Sequence, residues 1–173
     1  GPSHPRRRPR RNPSAGFPRP HVLPVDLTAP DAADRIAAAL AAAGLAPAIV
    51  VNNAAFGLFG PAAGADRAVQ LGMVDLNVRS LTELSLRFIE DIARHRGGIL
   101  NVASLGAFVP GPSMAVYHAS KAYVLSLSEA LHRELHPLGI KVTALCPGPV
   151  VTEFQQRSGM ADSIYPRFLM RSA

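Results

Sequence analysis

The chain has 173 residues, 48% of them apolar and none of them tryptophan, which is enough for one domain with a sizeable core. No run of about 18 apolar residues occurs, and the arginine-rich start has no apolar stretch behind it, so neither a membrane span nor a secretory leader is expected. The net charge of +6 belongs to the first 20 residues: they hold Arg6, Arg7, Arg8, Arg10, Arg11 and Arg19 and no acid, and the rest of the chain is balanced.

Residues 1–20 interleave these arginines with Pro2, Pro5, Pro9, Pro13, Pro18 and Pro20. Such a stretch reads as a disordered, solvated tail that would hold polyanions without sequence preference, so no specific nucleic-acid partner is expected. The prolines also oppose the amphipathic helix that an organelle-targeting peptide needs. Residues 21–173 read as one domain.

In that domain strand and helix signals alternate. His21–Asp26 is a short apolar run ending in an acid, and Pro24 reduces it to a weak or edge strand. Asp31–Ala43 is alanine-rich with Ile36 and Leu40 four apart, and Gly44 supplies a helix stop. Ala48–Asn52 reads as a buried strand closed by Asn53, with loop signals at Gly57, Gly60 and Pro61. A long helical stretch runs from about Ala65 to His95, with a break expected near Gly72, and Gly98–Ala103 is the next strand. After Pro110, Gly111 and Pro112 a helix carries Tyr117 and Lys121 to about Leu135, ended by Pro137 and Gly139. Ile140–Leu145 is a further strand, followed by Pro147, Gly148 and Pro149. This order predicts an α/β fold, a parallel sheet with helices on both faces. Ligands on such sheets bind beyond the carboxyl ends of the strands, where Asp26, Asn53, Ser104, Pro147 and Gly148 fall.

Tyr117 and Lys121 lie one helical turn apart on one face. An ammonium beside a phenol favours the phenolate and draws the tyrosine down from its free value of about 10. A tyrosine so placed can exchange a proton with a carbonyl or an alcohol, and Ser104 lies thirteen residues upstream. His118 points about 100° around the helix from Tyr117 and reads as non-catalytic. His132 and His136 are four apart near a helix end, but no third metal ligand accompanies them, and histidines suit that end of a helix dipole. The single cysteine, Cys146, ends an apolar run and reads as a core thiol in a reducing, cytoplasmic setting.

Five ordered motifs give the chain a close resemblance to the short-chain dehydrogenase/reductase family from about His21 to Phe154. Tyr117-His118-Ala119-Ser120-Lys121 resembles the family's Y-x-x-x-K, with Ser104 upstream. Asn52-Asn53-Ala54-Ala55 resembles N-N-A-G, and Asp75-Leu76-Asn77-Val78 resembles the segment of the catalytic asparagine. Pro147-Gly148-Pro149-Val150-Val151-Thr152 resembles P-G-x-V-x-T, and Asp26-Leu27 the acid-ended third strand. The resemblance implies a Rossmann-like fold and hydride transfer between NAD or NADP and a small carbonyl or alcohol substrate. By the same resemblance Tyr117 is the general acid or base, with Lys121 beside it holding the nicotinamide ribose. Ser104 donates to the substrate carbonyl, and Asn77 holds a water behind Lys121. Asp26, Leu27, Asn53 and Ala54 lie along the adenosine side, and Pro147, Gly148, Val150 and Thr152 around the nicotinamide. Phe56, Phe59, Phe108, Val109, Met114 and Phe154 suggest an apolar substrate wall. Complete relatives are expected to be homo-oligomers through the helix carrying Tyr117, with Ala122, Val124, Leu125, Leu127, Ala130 and Leu131 available for such a contact or for the chain's own sheet.

Three departures accompany the match. No T-G-x-x-x-G-x-G turn precedes Asp26, so the backbone donors that meet a pyrophosphate, and the first βαβ unit around them, are not in these 173 residues. Ala55 stands where the family has glycine, which would cost about 1 kcal/mol if the position needs a positive φ. The family's last strand and helix have no counterpart before Ala173. The chain is therefore expected to be a partial, doubly wound sheet, with a non-catalytic remnant or partner-binding module of the same fold as the alternative to an enzyme.

Overall fold

In the computed structural model, residues 20–151, 158–159 and 171–172 are described; most of the arginine-rich tail, Thr152 and Phe154 lie outside them. Helices α1 (Ala32–Ala42), α2 (Arg67–Val74), α3 (Leu81–Arg87), α4 (Ile89–Arg94) and α5 (Ala115–Leu135) alternate along the chain with strands β1 (Ile49–Asn52), β2 (Gly98–Val102) and β3 (Lys141–Leu145). The three strands form a parallel sheet in the order β1-β2-β3. A separate parallel pair joins β4 (Val150–Val151) to β5 (Arg171–Ser172). No helix among the described residues is long and apolar enough to cross a membrane.

Helix α1 forms where alanine density lowers the cost of helix and ends where Gly44 turns to φ +66°. Its Ile36, Ala37 and Leu40 lean on the main core. Asp66 caps α2 by accepting from the Ala68 N–H at 2.7 Å. The helix then passes Gly72 without a break. It widens instead into a π-helical segment at Asp75–Ser80 and bends at Phe88, where φ is −109°. The expected break near Gly72 is thus displaced, because a glycine inside a helix is tolerated whereas Asn77 imposes its own hydrogen bonds on the ladder (below). His21–Asp26 forms no strand; the described bonds of residues 26–28 run to side chains and turns rather than to a sheet.

The core joins α4, α5 and one sheet face through Phe88, Ile92, Ile99, Leu131, Leu135, Ile140 and Val142. Burying each large apolar side chain contributes about 1.5–3 kcal/mol. Gly97 is required where the chain enters β2, since a Cβ there would lie 1.7 Å from the Ala48 carbonyl oxygen. Val50, Asn52, Ile99, Asn101, Val142 and Ala144 alternate toward the helices. Ile49 (66% exposed), Val51 (55%) and Leu145 (49%) are on the other face. Among the described residues the helices cover the first of these faces, and the right-handed β1-to-β2 and β2-to-β3 crossovers bring α2–α4 and α5 to it. The face of Ile49, Val51 and Leu145 is the one that the second helix layer of a doubly wound sheet covers.

A polar ladder crosses this covered face. Asn52 Nδ2 donates to Ser85 Oγ (2.9 Å) and to Asn101 Oδ1 (2.8 Å), and Asn101 Nδ2 donates to Ser128 Oγ (3.0 Å). The two serines donate in turn to the carbonyls of Leu81 and Val124. All four side chains are buried. Asn101→Leu should therefore lower the unfolding free energy in urea by about 1–3 kcal/mol, since it removes an acceptor from Asn52 and a donor from Ser128. An unchanged midpoint would contradict a structural role for the ladder.

Candidate active site

The loops after β2 and β3 are closed together. Ala103 N–H donates to the Leu145 carbonyl (2.8 Å) and Leu105 N–H to the Pro147 carbonyl (3.0 Å). Gly148 lies against Leu105, whose Cδ1 would be 3.3 Å from a Cβ at that position. Ser104, Pro147 and Gly148 thus share one rim at the carboxyl ends of neighbouring strands.

Beneath that rim three elements meet. Asn77, in the π-helical segment, is almost fully buried. Its amide closes a two-way bond with Phe56, accepting from the N–H (3.2 Å) and donating to the carbonyl (2.9 Å). Its Nδ2 also donates to Ser120 Oγ (3.1 Å), and Ser120 Oγ donates to the Tyr117 carbonyl (2.7 Å). π-Helical turns cluster at functional sites because they re-aim a side chain without ending the helix, as here. Lys121 is 3% exposed, its Nζ donating to the Val102 carbonyl at 2.8 Å. The same Nζ stands 5.8 Å from the centre of the half-buried Tyr117 ring. Asn77, Tyr117 and Lys121 are therefore brought into one cluster, with Ser120 as a link that spacing alone had not singled out. The available signal was its position three residues after Tyr117, where a serine bonds back to its own helix.

The other predicted positions are arranged around this cluster. Ser104 Oγ accepts from the Gly106 N–H (3.1 Å) and caps the 3₁₀ turn Leu105–Phe108. Asp26 is exposed, and Thr28 donates to its carboxylate from both N–H (2.9 Å) and Oγ1 (2.7 Å), bonds that hold its pKa below 3.8. The next carbonyls, of Leu27 and Thr28, accept from Ser80 and Arg79 of the π-helical segment. Asn53 and Ala54 are exposed at the end of β1. Val150 lies in β4, and Thr152 falls outside the described residues. Ala55 does not adopt a positive φ, so its replacement of glycine carries no such strain. Along α5, Val124 and Leu131 pack into the chain's own core, whereas Ala122 and Ala130 are exposed. His132 Nδ1 donates to the Val142 carbonyl (3.0 Å), and no cluster of three metal-ligating residues occurs among the described residues.

A sequence profile described as short chain dehydrogenase matches residues 15–162. The chain belongs to the short-chain dehydrogenase family. It is 31% identical over 144 residues to the uncharacterized oxidoreductase YbbO of Escherichia coli, covering 82% of this chain and 54% of that protein. It is 34% identical over 108 residues to an NADPH-dependent 1-acyldihydroxyacetone phosphate reductase of Schizosaccharomyces pombe, covering 62% and 36%. Among solved structures, a short-chain dehydrogenase from Sphingobium yanoikuyae in complex with NADPH superposes with a TM-score of 0.74 at 30% identity, covering 85% of this chain and 57% of that one. The chain thus spans at most about half the length of these curated relatives.

Burial brings Lys121 down from the ordinary lysine value of 10.5 to about 8, against an opposing pull from Cys146. The folded chain then releases this proton before the unfolded chain does. Between pH 8 and 10.5 the unfolded state binds more protons, so this lysine's contribution to stability rises with pH through that window and is lowest below pH 8. Unfolding in urea at pH 7 and pH 10 should show wild type gaining about 2–3 kcal/mol over Lys121→Met between the two. Parallel responses of the two proteins would contradict the burial of a charged Lys121.

Proposed function

We propose that the chain carries the proton-transfer side of an NAD(P)-dependent oxidoreductase that interconverts a carbonyl and an alcohol. The observation that supports this reading most is the cluster itself: a buried lysine stands beside the Tyr117 ring, and a buried asparagine on another helix is linked through Ser120 to the Tyr117 carbonyl. In this reading Tyr117 gives its phenolic proton to the carbonyl oxygen during reduction and takes it back in oxidation. Ser104 uses a lone pair on Gly106, which leaves its O–H to donate to that same oxygen as negative charge develops there. Lys121 uses one of three ammonium hydrogens on Val102, leaving two for ribose hydroxyls. Pro147 and Gly148 border the nicotinamide side, and Asp26, Leu27, Asn53 and Ala54 the adenosine side. The residues present fit the nicotinamide end of such a coenzyme, whose role when bound is to supply or accept the hydride. Exposed Phe108 and Val109, with Phe59, offer an apolar wall to the substrate.

A second reading, a non-catalytic partner-binding module, draws on the apolar sheet face left open by Ile49, Val51 and Leu145. Fluorescence titration with NADH and NADPH separates the two, with saturable binding below millimolar expected for the oxidoreductase and its absence sinking that reading. In a chain that turns over, Tyr117→Phe should reduce kcat by at least about 100-fold while coenzyme Kd changes less than about threefold. Equal loss of both would contradict the acid–base role.

A further inference from the structure

His118 follows Tyr117 in the chain, and the hydrogen bonds of the cluster above do not use it. Its half-buried imidazole is nonetheless held by specific contacts. Nδ1 lies 2.9 Å from the Val109 carbonyl oxygen. A carbonyl can only accept, so Nδ1 carries a proton in this contact. The ring meets Tyr117 edge to face at 5.9 Å between centres. It also lies in a slot between two glycines. A Cβ on Gly111 would fall 2.2 Å from the ring's Cδ2, and one on Gly106 3.2 Å from its Cε1. Neither glycine has a positive φ, so it is the space taken by the imidazole, not backbone conformation, that excludes a Cβ at Gly111 and leaves little room for one at Gly106.

The segment so held runs from Ser104 to Pro112. It begins with the serine of the candidate site and presents Leu105, Phe108 and Val109 to solvent, with Phe108 61% exposed. Its first residues are tied to the loop after β3 by Leu105 N–H to the Pro147 carbonyl, and its other backbone bonds are local: Gly106 N–H to Ser104 Oγ, Ala107 N–H to the Ser104 carbonyl and Met114 N–H to the Gly111 carbonyl. Among the described hydrogen bonds, that of His118 to Val109 is the one that joins the middle of the segment to a side chain of α5.

We propose that His118 is a positioning residue: it locks the 104–112 segment onto the helix of Tyr117, and so sets the apolar wall that faces the substrate. The statement about substrate rests on the oxidoreductase reading; the lock itself does not. Gly111→Ala places a methyl group in the imidazole's space, so it should loosen the segment as much as loss of the ring does. In a His118→Ala background the same methyl group meets no ring and should add nothing, giving strong non-additivity. His118→Asn keeps an N–H near the Nδ1 position and should restore the lock that His118→Leu removes.

Amide exchange of the full chain, followed by mass spectrometry at Gly106, Ala107 and Met114, reads this directly. His118→Leu and Gly111→Ala should each exchange about tenfold faster there while the sheet amides of β2 are unchanged, with His118→Asn close to wild type. In wild type, ¹⁵N-edited spectra should show the neutral ring protonated on Nδ1. Additive effects of Gly111→Ala and His118→Ala, or an Nε2-protonated ring, would overturn the proposal. Where NADPH-dependent reduction of acetophenone is measurable, His118→Leu should raise KM about tenfold with coenzyme Kd unchanged, and His118→Asn should reverse it; a fall in kcat with KM unchanged would overturn the substrate-wall assignment. A wild-type chain that binds no coenzyme would defeat the oxidoreductase reading and leave the exchange and ring-proton results to decide the lock.

Discussion

The hydrogen bond between Asn52 and Asn101 is the constraint on which the remaining geometry depends. Parallel strands of four or five apolar residues could pair in more than one register, and a slip of one residue would turn each side chain to the opposite face. Two amides set in the covered face remove that freedom, because each would be buried without a partner in any register but one. Ser85 and Ser128 extend the same bond into α3 and α5. One polar row therefore fixes strand to strand and helix to sheet together. It fixes the register at the carboxyl end of β1, where Asn52 stands opposite Asn101. Buried polar networks of this kind add little net stability relative to apolar packing, but they disfavour every alternative in which a member goes unsatisfied.

The second constraint is the irregularity in the long helical stretch. A regular α-helix from Arg67 onward would carry the residues after Asp75 around at 100° each. The π-helical segment shifts that phase within one turn and lets Asn77 reach Phe56 and Ser120 at once. The same segment supplies Arg79 and Ser80 to the carbonyls of Thr28 and Leu27. A local defect in one helix thus ties the loop after β1, the helix of Tyr117 and the start of the described chain to a common point. Lys121 is then placed by its helix where only the Val102 carbonyl answers its charge among the described bonds, and desolvation makes the proton easy to lose.

Much of this was legible before any coordinates. The six alternating elements from Asp31 to Leu145 fall within about two residues of their expected bounds, because alanine-rich and β-branched runs are separated by glycine and proline at every junction. Tyr117 and Lys121 could be paired by spacing, and Asn77 by motif. His21–Asp26 was misread because β propensity is measured against neighbours: an apolar run beside no strand has no ladder to join. The displaced helix break was misread because Gly72 is a visible signal, whereas the π-helical turn follows from tertiary bonds to Asn77. Ser85 and Ser128 were invisible as network members for the same reason, since a small polar residue on a helix reveals its role only through what packs above it.

The one-sided helix layer shows a further limit. Periodicity reports that a strand is apolar on both faces; it does not report what covers each face. Val50, Asn52 and Ile99 meet helices that follow from the hand of the β1-β2-β3 crossovers, whereas Ile49, Val51 and Leu145 have the same composition and meet water. A doubly wound sheet acquires its second layer only when strands are added in the opposite direction, past the switch point at which ligands bind. The edge of β1 that points that way is the edge on which such strands would pair. The apolar face and the coenzyme crevice are therefore governed by one event, and whatever covers Ile49 and Val51 would also stand next to Asn53 and Ala54. Coverage of that face and the surroundings of Asn53 and Ala54 would accordingly change together.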